Sequence, residues 1–357
     1  MNTDLTQRTS AALRYQTFGR LTGLRVSELA LGTAIFGTGP GARTESAEAR
    51  AIFEAFAGAG GTFLDTADAY QAGTSEELVG EFLAGRRDDF VVATKYSRGA
   101  TPGAGVSATG NSRRNAVRSL ESSLKRLRTD HVDLYWVHLP DAVTPVEEIL
   151  ATFDDLVRAG KILHGGLSNF PAWRVAAAAT TASLRGSSSL VGVQHEYSLI
   201  NRVADHELLP AAEAFGLGAC LYAPLGGGLL TGKYRHGTDG RLAAWGRGVR
   251  TEDTEQQTAV LDAVLATAQD IDTTPSQVAV AWLIEHAARS ATALVPVIGP
   301  RTTGQLHEYL AALELRLSTE HYDRLTQVSA VVRAEDQESS AFGADAQRLR
   351  RHPVPVV

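Results

Sequence analysis

Four side chains carry the chemistry that this sequence offers. Asp65, Lys95 and His138 stand at the ends of short apolar runs of strand type, Thr62 to Thr66, Phe90 to Lys95 and Val132 to His138, and Tyr70 follows Asp65 by five residues. A tyrosine with its ordinary pKa near ~10 is a poor proton donor at neutral pH unless a cation nearby favours its phenolate, and a lysine suits that task. Lys95 is the candidate cation. Asp65 can hold Lys95 in place and offset its charge, while His138 can hydrogen-bond a carbonyl oxygen to orient and polarise it. Such a set protonates a developing alkoxide. It contains neither a nucleophile nor a source of electrons, so the reducing equivalent has to come from a cofactor.

Residues this far apart in sequence need a scaffold that returns each strand end to one rim. Eight strand candidates alternate with helical patterns: Leu29 to Gly32, Thr62 to Thr66, Phe90 to Lys95, Val132 to His138, Ile162 to Leu167, Leu190 to Gln194, Ala219 to Tyr222 and Leu294 to Ile298. Between them lie Ser46 to Ala59, Ser75 to Ala84, Arg113 to Arg128, Val146 to Ala159, Ala172 to Leu184 and Glu255 to Ile271, with Gly60, Gly85 and Gly160 as stops. The near-continuous apolar run Val132 to His138 is that of a parallel strand buried on both faces. Eight such units predict a (β/α)8 barrel, in which reactive groups sit at the C-terminal strand ends. Tyr15 to Phe18 and Arg25 to Ser27 read as an entry hairpin that plugs the barrel floor, and Thr274 to His286 as an extra helix in the seventh unit. The loops Ser97 to Gly110 and Leu225 to Arg250 are long and glycine-rich, as functional loops are.

The chain has 357 residues, 44% hydrophobic and 21% charged, which excludes disordered and disulfide-scaffold classes. That length admits two domains or one barrel; the pattern favours one barrel over 15–332, with polar extensions at 1–14 and 333–357. Forty acidic against 34 basic residues, with no dense basic run, point away from nucleic acid and anionic membranes and toward a small-molecule partner. Cys220 is the single cysteine, so neither an intrachain disulfide nor a cysteine metal cluster can form, and the scattered histidines predict no metal site. Met1 to Arg14 is polar, and no run of about 18 uncharged apolar residues occurs, so a cytoplasmic protein is expected. Self-association is left open. Only four lysines occur, Lys95, Lys125, Lys161 and Lys233, so few titratable amines exist for any role that needs one.

The motifs Phe63-Leu-Asp-Thr-Ala-Asp-Ala-Tyr70, Ala93-Thr-Lys95, Leu134-Tyr-Trp-Val-His138, Gly165-Gly-Leu-Ser-Asn169, Tyr222-Ala-Pro-Leu-Gly-Gly-Gly-Leu-Leu-Thr-Gly-Lys233 and Gly299-Pro-Arg301 occur in an order that resembles the aldo-keto reductases across almost the whole chain. The opening Phe18 to Thr33 is similar to the branch that holds potassium-channel β subunits, aryl-alcohol dehydrogenases and deoxysugar reductases. The resemblance implies NADPH-linked interconversion of a carbonyl and an alcohol, with Tyr70 as general acid. It further implies that Ser168, Asn169 and Gln194 bond the nicotinamide carboxamide and that Tyr222 stacks on the ring. Pro224, Leu225, Gly227 and Leu229 would line the pyrophosphate, and Gly299, Arg301, Gln305 and Glu308 the adenosine end, with Arg301 on the 2′-phosphate. Pro300 and Tyr309 depart from the pattern, where a small residue and an Asn are usual, which weakens the case for strict NADPH preference.

Taken singly, Asp65 reads as a strand-end cap, Lys95 as a snorkelling lysine, His138 as a core histidine and Tyr70 as a rim aromatic. Their joint occurrence at successive strand ends is what favours shared chemistry. Asp68 reads as a loop capping residue, His164 and His195 as outward histidines under helices, and Cys220 as packing. Gly227 to Lys233 nearly matches a P-loop, but Tyr234 stands where Ser or Thr must reach magnesium. No Gly-x-Gly-x-x-Gly turn joins an early strand to a helix, against a dinucleotide fold of that type. Three functions compete: an NADPH-dependent reductase of an aldehyde or ketone, narrowed to a secondary-metabolite or deoxysugar carbonyl or enone; an NADPH-binding redox-sensing regulatory subunit; and a Schiff-base lyase using Lys95. Phe36, Tyr96, Trp136 and Trp245 are candidate pocket aromatics.

Overall fold

The computed structural model describes residues 13–37, 43–101, 103–187, 190–235 and 252–331. Eight strands form a closed, all-parallel barrel: β3 (Ala30–Gly32), β4 (Phe63–Asp65), β5 (Val91–Tyr96), β6 (Val132–Val137), β7 (Ile162–Ser168), β8 (Leu190–Glu196), β9 (Gly218–Tyr222) and β10 (Leu294–Ile298), with β10 returning to pair with β3. The (β/α)8 expectation holds. Six predicted helices appear within two residues of their expected ends as α1 (Ser46–Gly58), α2 (Thr74–Phe82), α3 (Arg113–Leu127), α4 (Val146–Arg158), α5 (Ala172–Arg185) and α7 (Glu255–Asp270), with the short α6 (Leu208–Ala214) between the last two. The extra helix is α8 (Pro275–Ala288), opened by a capping box in which Thr274 and Gln277 satisfy each other's backbone N–H groups. Two further helices, α9 (Thr303–Ala311) and α10 (Thr319–Val328), follow the last strand. Gly60, Gly85 and Gly160 lie just past their helices at φ 88, 79 and 68, as helix stops do.

Strand alternation sorts the apolar residues into two cores. On β5, Val92 and Tyr96 pack outward under the helices, while Val91 and Ala93 face the barrel interior and lead up to Lys95. The interior cluster is closed at its floor by Phe18, which follows β1 (Tyr15–Thr17) of the antiparallel hairpin completed by β2 (Arg25–Ser27). Phe18 meets Phe63 and Trp136 edge-on, at 5.9 and 6.4 Å between ring centroids. Its room comes from glycine: a Cβ at Gly192 would lie 2.5 Å from the Phe18 ring and one at Gly218 2.8 Å away. The plug predicted from the sequence is therefore a single aromatic seated between two strands that lack side chains there.

One reading is corrected at this floor. His164 does not lie beneath a helix; its Nε2 is 3.2 Å from the Thr22 hydroxyl of the hairpin loop, and so it helps seat the plug. Residues 236–250 of the long seventh loop, including Trp245, lie outside the described residues, as do 1–12 and 332–357. Among the described residues no helix is long and apolar enough to cross a membrane.

Because Phe18 is fully buried and closes the interior core, Phe18→Ala removes a ring that no neighbour can replace. Urea unfolding should show a loss of about 3–5 kcal/mol. A loss below about 1 kcal/mol would mean that the hairpin is not part of the barrel core.

Candidate active site

Inward-facing positions on three neighbouring strands end in polar groups at the C-terminal rim. Asp65 closes β4, Lys95 is the next-to-last residue of β5, and His138 follows β6 in the inward series begun by Leu134 and Trp136. An ammonium has three protons to donate. Lys95 donates all of them, to Asp65 Oδ2 at 2.5 Å, to the Thr66 carbonyl at 2.8 Å and to the Tyr70 hydroxyl at 3.3 Å. Asp65 is held from its other side by Gln194 Nε2, 3.0 Å from Oδ1. The His138 ring stands edge-on to Tyr70 at 5.8 Å between centroids. The four predicted catalytic residues thus converge. With every Lys95 proton engaged and its side chain fully buried, no free amine is offered for a Schiff base.

The turn that carries Tyr70 is built against local preference. Gln71 and Ala72 are left-handed at φ 50 and 57, followed by Gly73 at φ 96. Non-glycine residues there are strained by about 1 kcal/mol each or more. The turn is tied down on both sides, by Gln71 Nε2 donating to the Ala34 carbonyl and by Arg126 of α3, whose side chain lies close against Gly73. Arg126 is fixed in turn by the fully buried Glu76 at 2.7 Å, which also accepts the Thr94 hydroxyl.

A cavity of about 730 Å³ opens over this cluster and runs along the rim. Asp65, Tyr70 and His138 line one end, together with Ala34, Arg98 and Leu139. Along its length lie Ser168, Asn169, Gln194, Tyr222, Pro224, Leu225 and Gly227, and then Gly299, Arg301, Gln305 and Glu308. Leu229, expected to line the pyrophosphate through its backbone, has a buried side chain within the glycine-rich turn and is not among the residues that line the cavity. Tyr222 is held in place by its hydroxyl, which donates to Asn169 Oδ1 at 2.8 Å, while Asn169 Nδ2 donates to the His138 carbonyl at 3.0 Å. Gly227 and Gly228, at φ 71 and 100, present bare backbone to the cavity. Residues given no site role from the sequence also line it: Glu196, Gly228, Lys233, Pro275 and Ser276. Lys233 was visible within the glycine-rich motif, and Pro275-Ser276 as the start of the surplus helix.

The aldo/keto reductase family profile matches residues 28–330. The chain belongs to the aldo/keto reductase family. It is 38% identical over 317 residues to an uncharacterized oxidoreductase of Bacillus subtilis, covering 86% of this chain and 93% of that protein. Norsolorinic acid reductase of Aspergillus flavus is 34% identical over 307 residues, covering 84% and 76% respectively. A probable voltage-gated potassium channel subunit beta of rice is 31% identical over 345 residues, covering 92% of this chain and all of that protein. An oxidoreductase is what the family and the first two of these names support.

The electrostatics of this aldo/keto reductase separate its titratable groups. Burial raises the Tyr70 phenol above the usual range while Lys95 pulls it down, and the net direction is up. At neutral pH Tyr70 therefore carries its proton, and Lys95 favours the phenolate that forms when the proton leaves. Burial pulls the Lys95 ammonium down, but Asp65 and Tyr70 outweigh it and the net shift is upward. Burial, and then the charges of Lys95 and Arg98, hold His138 well below its ordinary value, so its imidazole is neutral at pH 7. A neutral imidazole donates a hydrogen bond and gives up no proton.

Asp68, read from the sequence as a loop capping residue, is buried. It is 1% exposed, its Oδ1 has no hydrogen-bond partner, and burial beside Glu76 raises its carboxyl to about 7. A carboxyl raised from 3.8 in this way favours the fold at low pH and loses that contribution as pH climbs through about 7. Asp68→Asn should therefore stabilise the protein relative to wild type at pH 8.5 by about 4 kcal/mol more than at pH 4. Paired thermal melts at the two pH values read this difference, and an equal effect at both would remove the buried-acid assignment.

Proposed function

We propose that this protein reduces an aldehyde or ketone to an alcohol with NADPH, Tyr70 delivering the proton. The observation that carries the reading is the Tyr70 hydroxyl, protonated at neutral pH, lying 3.3 Å from a lysine that is itself held charged by Asp65, at the wall of a long cavity. The residues beside it fit a dinucleotide: an aromatic fixed at the strand end by Asn169, an unencumbered glycine turn, the start of α8, and the bases Lys233 and Arg301 farther along. Ser168, Asn169 and Gln194 would hold the carboxamide, Tyr222 the ring, Pro224, Leu225 and Gly227 the pyrophosphate, and Gly299, Arg301, Gln305 and Glu308 the adenosine end. Gln305 accepts the Arg301 N–H at 2.8 Å, which sets the backbone from which the guanidinium meets a 2′-phosphate.

The bound cofactor supplies the hydride. The chain supplies everything else. His138, neutral, hydrogen-bonds the carbonyl oxygen and fixes which face is presented. As negative charge grows on that oxygen, Tyr70 passes it a proton, and Lys95 stabilises the tyrosinate left behind. Asp65 keeps Lys95 charged in a dry setting, and Gln194 keeps Asp65 oriented.

For the substrate, relatives named for norsolorinic acid reduction support a carbonyl or enone of secondary metabolism. The potassium-channel relative favours a second reading, an NADPH-binding regulatory subunit with little turnover. The complete, proton-loaded tyrosine set supports catalysis over it. Tyr70→Phe should lower the NADPH-dependent turnover of an aldehyde panel at least ~10³-fold while cofactor binding, read by tryptophan quenching, persists; retained turnover would remove Tyr70 from its role. Arg301→Gln should raise the KM for NADPH at least ~10-fold and leave that for NADH nearly unchanged, as initial-rate kinetics with the two cofactors would show.

A further inference from the structure

We propose that Arg98 is a specificity-determining residue that pairs with an anionic oxygen group of the substrate, so that the preferred carbonyl compounds carry a carboxylate or phosphate beyond the reacting centre. The inference rests on the reading of the site as a carbonyl reductase and adds the substrate's charge to it.

Three observations lead there. First, Arg98 lines the cavity at the end where Tyr70, His138 and Leu139 stand, and its positive charge is felt at both Tyr70 and His138. The other bases of the cavity, Lys233 and Arg301, lie among the residues fitted to the cofactor's phosphates. At the carbonyl end the Asp65–Lys95 pair is internally neutral, and the acid that feels Arg98, Asp68, is buried with its carboxyl raised to about 7, so Arg98 is the cation of that end without an ion pair among the described residues.

Second, among the described residues Arg98 makes no hydrogen bond or ion pair, although many arginines of this chain, such as Arg87, Arg126 and Arg202, have carboxylate partners. An exposed guanidinium at the wall of a cavity, with no hydrogen-bond acceptor among the described residues, is a ready donor for a planar oxyanion.

Third, its backbone is built to hold it. Ser97 is non-glycine at φ 117, and Gly99 follows at φ 79. The Ser97 side chain accepts the His138 backbone N–H at 3.2 Å, and its carbonyl accepts the Gly110 N–H at 2.8 Å. On the other side Gly99 is closed in, since a Cβ there would stand 2.6 Å from the Ala104 methyl. Arg98 thus sits between two constrained residues, one of them bonded to the backbone of the residue that orients the carbonyl. Strain at a ligand-facing loop is retained where position matters. A surface arginine with no task would need none of it.

The test compares wild type with Arg98→Gln and Arg98→Lys, all on an exposed loop position. The substrates are para-formylbenzoate, para-formylphenyl phosphate and the neutral methyl ester of the first. The wild type should prefer at least one anionic aldehyde over the ester, and the ratio of kcat/KM should fall at least tenfold in Arg98→Gln, with partial recovery in Arg98→Lys. Whichever anion shows the larger fall identifies the oxyanion. Calorimetric titration of para-(hydroxymethyl)benzoate and para-(hydroxymethyl)phenyl phosphate onto the NADP-loaded protein gives a readout without turnover, in which Arg98→Gln should bind at least one of them at least tenfold more weakly. Selectivity ratios and affinities that are the same in wild type and Arg98→Gln would overturn the proposal. Absence of NADPH oxidation by the wild type with every aldehyde would instead count against the reductase reading, and the titrations would still decide the role of Arg98.

Discussion

A charged pair inside the barrel governs the arrangement of this protein. Asp65 and Lys95 are 2% and 0% exposed, and removing two ions from water costs several kcal/mol each unless geometry and hydrogen bonds offset it. Here the offset is complete on the lysine: three protons, three acceptors, one of them the phenol that would do the chemistry. The aspartate spends its second oxygen on Gln194 from across the barrel. The interior below the pair is filled by side chains and stoppered by Phe18, which leaves the dielectric low and the charge of Lys95 strongly felt at Tyr70.

The backbone around the pair shows where the fold departs from ease. Among the described residues seven non-glycine residues have positive φ, and five of them, Gln71, Ala72, Ser97, Asn169 and Ala223, lie on the rim just beyond β4, β5, β7 and β9. The other two, Arg128 and Asp272, sit just beyond helices. The strain is thus concentrated where side chains must be aimed, and it is held by specific bonds: Gln71 to Ala34, Ser97 to His138 and Gly110, Asn169 to His138 and Tyr222. The floor carries no comparable burden. Its glycines make space for an aromatic plug, a packing task rather than a chemical one.

Much of this was legible in the sequence because the barrel turns a one-dimensional pattern into a place. An apolar run that ends in Asp, Lys or His puts that residue on one rim once the strands are parallel, so Asp65, Lys95 and His138 could be gathered without coordinates. Strand and helix positions followed from the same alternation. What periodicity did not carry was direction and company. Gln194 was assigned to the cofactor by resemblance, yet its amide reaches Asp65, a bond between β8 and β4 that no local spacing encodes. Asp68 looked like a turn residue because Asp caps turns, while its burial and the charges of Glu76 and Arg126 from two other elements that act on it are set by the tertiary fold. Leu229 is buried together with its neighbour Leu230 in a tight turn, and His164 meets a hairpin 142 residues away in sequence. Arg98 carried no motif; it is marked by having no hydrogen bond or ion pair among the described residues.

The central claim, that the buried Asp65–Lys95 pair is held as a unit and that each member is costly without the other, is tested most directly by a double-mutant cycle on unfolding free energy with Asp65→Asn, Lys95→Met and the two combined. Each single change should cost about 3 kcal/mol or more, and the double change should cost less than the sum of the two by about 2 kcal/mol or more. Additivity to within about 0.5 kcal/mol would contradict the account, because it would mean that the two charges are stabilised independently.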